Sequence, residues 1–123
     1  MRYMFLIYSR ERDVSQRTNQ ELDELKAAHW SVMDEAWQRG VFVAAGPLKA
    51  TVSAKTVRMD GETKLVTDGP FAETKEQLAG YYILDCRDER EALDWATKIP
   101  TACKGGEGCI EVRPMSELPE RLT

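Results

Sequence analysis

Apolar and polar positions along this chain alternate between short β-type runs and longer helical stripes. Residues 2–8, Arg-Tyr-Met-Phe-Leu-Ile-Tyr, are apolar almost throughout, which predicts a strand covered on both faces. Thr18-x-x-Glu21 has the form of a capping box and opens a helix predicted to end at Gly40. Within it Leu22, Leu25, His29, Val32, Met33 and Ala36 share one stripe at a helical turn of about 100° per residue, with Trp30 and Trp37 flanking it. Residues 41–47 predict a second strand ending at Gly46-Pro47.

Residues 55–59 and 64–67 predict the arms of a hairpin turning at Asp60-Gly61. After Asp68-Gly69-Pro70, residues 80–86 predict another strand, with residues 81–84 apolar on both faces. Asp88-x-x-Glu91 caps a second predicted helix, whose Ala92, Leu93, Trp95, Ala96 and Ile99 share a face before Pro100 stops it. A glycine-rich segment, Lys104-Gly105-Gly106-Glu107-Gly108, leads to a last strand over 109–113. There Ile110 and Val112 alternate with Glu111 and Arg113, which suits a sheet edge. Residues 1–114 read as one domain and 115–123 as a polar tail. With the hairpin set aside, the order is βαββαβ. The predicted class is therefore α+β, ferredoxin-like, with an inserted β-hairpin.

Two helices shelter only one face of a four-stranded sheet. Each large apolar side chain left on the other face would forgo roughly 1.5–3 kcal/mol of burial. A second copy packing sheet to sheet about a two-fold axis resolves this, so a homodimer is predicted.

Composition narrows the setting. The chain has 123 residues, a net charge of −4 and dispersed Lys and Arg, which disfavours nucleic acid and anionic membranes as partners. No apolar run approaches a membrane span, and the N-terminal run has an Arg-Glu-Arg-Asp segment after it where a signal peptide would carry small residues. Three cysteines, an odd number, fit a reduced cytoplasmic protein. Cys103 and Cys109 flank the glycine-rich segment without a Cys-x-x-Cys pair or a second histidine, so no metal site is predicted. That segment precedes a strand and is not a dinucleotide fingerprint, and no cofactor is predicted.

Val66-Thr67-Asp68-Gly69-Pro70-Phe71-Ala72-Glu73-Thr74-Lys75-Glu76, supported by Glu91-Ala92-Leu93-Asp94-Trp95-Ala96, resembles the DGPF-domain proteins, a branch of the YCII-related group. The likeness runs from Arg2 to Pro114. It implies a ferredoxin-like protomer, a dimeric α/β barrel of the superfamily to which that group belongs, and a cleft between the sheet and neighbouring elements. Most members of the group have no established activity. Some are encoded beside extracytoplasmic-function sigma factors, which implies a regulatory setting.

The resemblance also marks candidate residues. In YCII-like proteins a histidine on the first helix pairs with an aspartate after the second, and that dyad is their presumed catalytic centre. His29, the one histidine, stands at the matching place with Gly46-Pro47 downstream, but the aspartate position is Ile99. His29 admits two readings: a general acid or base needing an orienting partner, or a core histidine bonded to a backbone carbonyl. Asp68 could supply the missing carboxylate, or could accept from nearby amides in an Asx-type turn, with Pro70 restricting Gly69 to extended geometry. The candidate catalytic pair is thus His29 and Asp68, and the candidate ligand contacts are Gly46, Pro47, Gly69, Pro70 and Phe71. Glu73 and Lys75 read as a charge pair or a solvated face. The function expected is small-molecule binding in a cleft of the homodimer with acid–base chemistry through His29 and Asp68; the alternative is a non-catalytic regulatory module of a sigma-factor system.

Overall fold

Two caps set the helices where local chemistry predicts them. Thr18 is extended; its hydroxyl accepts from the Glu21 amide at 3.1 Å while Glu21 Oε1 accepts from the Thr18 amide at 3.3 Å. Asp88 Oδ1 accepts from the Glu91 amide at 2.9 Å, whereas the Glu91 carboxylate reaches past Asp88 to the Arg87 amide. These positions come from a computed structural model, which describes residues 1–101 and 108–119. The proposed glycine-rich segment, apart from Gly108, and Cys103 lie outside the described residues.

The elements are β1 (Arg2–Ser9), α1 (Glu11–Ser15), α2 (Asn19–Gln38), β2 (Phe42–Pro47), β3 (Lys55–Asp60), β4 (Thr63–Asp68), β5 (Gln77–Asp85), α3 (Glu89–Ala96) and β6 (Cys109–Pro114). β1, β2, β5 and β6 form one antiparallel sheet in the order β2-β5-β1-β6, the ferredoxin-like arrangement, with β1 and β5 central and β6 at an edge. β3 and β4 pair only with each other as the inserted hairpin.

Several boundaries differ from expectation. α1, five residues without a side-chain cap or a buried residue, is too short and polar to show a periodicity. The hairpin turns at Gly61-Glu62, one residue later than predicted, because Asp60 still pairs with Thr63 and Gly61 takes the positive φ. β5 begins at Gln77, and opposite Ile7 and Tyr8 of β1 it carries one extra residue, Ala79, without a register partner in β1. α3 ends at Ala96; beyond it Lys98 N bonds to Trp95 O and Ile99 N to Ala96 O, tightening the turn before Pro100.

One sheet face forms the core. Tyr3, Phe5 and Ile7 of β1 and Tyr82 and Leu84 of β5 are buried against Val32 and Ala36 of α2 and Ala92 and Trp95 of α3, with Ile99 closing the end. Leu93 does not join them; it is 51% exposed, lying one helical step away from Ala92. Arg39 and Lys98 stack over the Trp95 ring, and Lys98 also donates to Glu35 at 2.7 Å. On the opposite sheet face Met4, Leu6, Tyr8, Tyr81 and Ile83 alternate with the buried set and remain partly exposed. Trp30 and Trp37, on the outer side of α2, are 63% and 72% exposed.

Candidate functional site

The cap at Thr18 fixes the rotation of α2, so the stripe that buries Val32 and Ala36 also turns His29 toward the sheet. β5 alternates so that Tyr82 shares the α2-facing side with Leu84. The two meet: His29 Nδ1 lies 2.7 Å from Tyr82 Oη, with ring centroids 5.9 Å apart and planes tilted by 45°. The same hydroxyl lies 3.3 Å from the His29 carbonyl oxygen. One arrangement uses both contacts: Nδ1–H donates to Oη, and the tyrosine hydroxyl donates to the carbonyl. It leaves the Nε2 lone pair unused within the pair.

Burial acts on both groups in the neutral direction. It lowers the His29 pKa from its ordinary 6.5 and pushes that of Tyr82 up to about 12. At neutral pH the site is an uncharged imidazole held by an uncharged phenol. Such an imidazole can accept a proton at Nε2 while its ring stays oriented through Nδ1.

Asp68 sits elsewhere. It ends β4 with its side chain 85% exposed and pairs with Lys55 directly across the hairpin. Among the described residues no hydrogen bond or ion pair joins it to His29. Gly69 departs from the extended geometry expected of it, with φ at +92°, a value glycine adopts without strain. Its amide donates to Ala54 O and its carbonyl accepts from Thr56 Oγ1, so the turn is held by the hairpin's first arm. Phe71 is exposed, and Glu73 and Lys75 form no ion pair among the described residues. Gly46 and Pro47 lie against Tyr81 and Gly80 of β5, where a Cβ on Gly80 would meet the Gly46 carbonyl oxygen at 2.9 Å. Of the predicted residues, then, Gly46 and Pro47 belong to the main sheet, and Asp68, Gly69, Pro70 and Phe71 to the hairpin and the turn after it.

Tyr82 is the partner that sequence reasoning missed. Its signal was present but indirect: it is in phase with Leu84 on the strand, as His29 is in phase with Val32 and Ala36 on the helix. Among the described residues no group of three metal-ligating side chains occurs. Cys86 is a buried free thiol whose pKa burial pushes up to about 11, which keeps it protonated and unreactive. Among the described residues no helix is long and apolar enough to cross a membrane.

The YCII-related domain matches residues 1–119. The chain belongs to the YCII-related family. An uncharacterised protein of Rhizobium meliloti is 36% identical over 124 residues, covering 97% of this chain and 99% of that relative. Within this YCII-related protein Ile99, where the resemblance expects an aspartate, is 5% exposed and packed in the core, so the imidazole's partner is a phenol from the sheet.

Proposed function

We propose that this YCII-related protein binds a small molecule beside α2 and that His29, oriented by Tyr82, accepts or donates a proton there. The observation that carries the reading is the 2.7 Å contact between His29 Nδ1 and Tyr82 Oη at a half-buried position. A histidine kept neutral and fixed through one nitrogen suits general acid–base work better than bulk packing does. In this reading a second copy covers the partly exposed sheet face, making the homodimeric α/β barrel, and Gly46 and Pro47 line the cleft at the end of β2. Asp68, with Gly69, Pro70 and Phe71, acts as a ligand contact brought by the hairpin and its turn, not as the partner of the imidazole.

The test is a thermal-shift and NMR screen of small metabolites against the full chain. A supporting ligand moves the His29 ring signals and binds more weakly to both His29→Gln and Tyr82→Phe. Ligands that bind both variants as tightly as the parent would remove the pair from the site.

A second reading is favoured by one observation, the exposure of Trp30 and Trp37 on the outer side of α2. Two indoles on one helix suit a protein partner, as a non-catalytic module of a sigma-factor system would need. Loss of a co-purifying sigma factor in Trp30→Ala with Trp37→Ala, while His29→Gln retains it, would favour this reading over the first.

A further inference from the structure

A cavity of about 350 Å³ opens where Arg10, Glu11 and Arg12, following β1, face Thr74, Lys75 and Gln77 at the approach to β5. It shares no lining residue with the His29–Tyr82 pair. Of its lining residues Gln77 is held in the sheet, paired with Ser9 of β1. The Gln77 carboxamide donates to Thr74 O at 2.9 Å and fixes the wall from which Lys75 projects.

Among the described residues that line it the charge is predominantly positive. The carboxylate among them, Glu11, keeps its charge but is turned to Thr51: Oε1 accepts from the Thr51 amide at 2.6 Å and Oε2 from the Thr51 hydroxyl at 2.8 Å. The adjacent acid, Glu76, accepts from the Gly108 amide at 3.1 Å. Three cations, Arg10, Arg12 and Lys75, line the same space. Among the described residues the Arg12 and Lys75 side chains enter no hydrogen bond or ion pair. In a chain with 21 acidic and 17 basic residues, such a local excess is not what composition alone would place there.

We infer that this cavity binds a small molecule through a phosphate group, gripped by Arg12 and Lys75 with Arg10 alongside. Planar guanidinium forks and a lysine point charge together match an oxyanion with several oxygens and more than one negative charge. The volume lies at the small end of ligand pockets, which run from about 300 to about 1,000 Å³, so it suits a small phosphorylated body.

The experiment is calorimetric titration of the full chain with inorganic phosphate at low ionic strength, with succinate as comparator. Saturable millimolar phosphate binding is expected, weakened at least about tenfold, or ~1.4 kcal/mol, by Arg12→Gln and by Lys75→Gln. Lys75→Arg should retain it. Arg90→Gln, an exposed cation on α3, should leave it unchanged. Circular dichroism confirms that each variant is folded; both altered positions are exposed. Absence of saturation, equal loss in Arg90→Gln, or succinate binding as tightly as phosphate would each overturn the assignment.

Discussion

The Tyr82 hydroxyl stands 2.7 Å from the Nδ1 of His29, across 53 residues of sequence. Because burial lowers the histidine pKa, the pair makes stability depend on pH in a definite direction. Above about pH 6.5, the ordinary histidine value, folded and unfolded chains both hold a neutral imidazole and the group contributes no slope. As pH falls below that value, the unfolded chain takes up a proton that the folded one resists, so stability drops until the folded pKa is reached. Urea unfolding from about pH 7.5 to about pH 5.5 should show the parent losing more stability than His29→Gln. Parallel curves for the two proteins would show that the imidazole titrates as freely folded as unfolded. With one histidine in the chain, an NMR titration of its ring gives the same answer directly.

Removing only the hydroxyl tests the orientation. Tyr82→Phe keeps the ring in the core and should cost about 1 kcal/mol, the net value of a typical hydrogen bond. In the arrangement that uses both contacts it should also change which ring nitrogen carries the proton, because Nδ1–H then loses its acceptor and the His29 carbonyl loses its donor. Nitrogen chemical shifts of the labelled imidazole report this. An unchanged tautomer with unchanged stability would mean that the hydroxyl does not hold the ring.

Two glycines on neighbouring rungs of the β2–β5 pair, Gly46 opposite Tyr81 and Gly80 opposite Pro47, should respond unequally to a methyl group. On Gly80 the new Cβ would lie 2.9 Å from the Gly46 carbonyl oxygen, a backbone atom that moves only if the strands part. On Gly46 it would meet the Tyr81 ring at 3.0 Å, and a ring edge can swing away. Gly80→Ala should therefore destabilise by about 1–3 kcal/mol, as overpacking does, and Gly46→Ala by less. The reverse order in urea midpoints would contradict the register of this strand pair.

Asp68 separates chemistry from folding. Its ion pair with Lys55 is exposed, and pairs of that kind contribute roughly 0–1 kcal/mol. Asp68→Asn should shift the unfolding midpoint only slightly, so any change in ligand affinity belongs to the carboxylate itself. A large stability loss would show that the carboxylate does structural work beyond this pair.

What the sequence made legible was whatever rests on neighbours along the chain. Thr18 and Asp88 cap amides three residues away, and the two-sided apolar content of β1 and β5 marked them as central strands. The αβ order then followed from element types alone. What it hid depends on tertiary approach. Nothing near Tyr82 in sequence announces His29, and nothing near Asp68 says that Lys55, across a hairpin, takes its charge. Leu93 shares the apolar character of Ala92 but not its face, because successive helical residues point about 100° apart. α1 is too short for any period to show.

The partly exposed sheet face gives the last prediction. Met4 and Leu6 on β1 and Tyr81 and Ile83 on β5 are neighbours across the register, Met4 opposite Ile83 and Leu6 opposite Tyr81. They form a continuous apolar surface that neither α2 nor α3 reaches, and each large side chain covered there would gain roughly 1.5–3 kcal/mol. Sedimentation at micromolar concentration should give a two-copy species for the parent. Ile83→Glu places a charge in the middle of this face while leaving the core side of β5 untouched, so it should give a folded single copy with unchanged circular dichroism. A parent that sediments as one copy would leave this surface to some other partner. A two-copy Ile83→Glu protein would place the contact elsewhere, with the exposed Trp30 and Trp37 of α2 the next face to substitute.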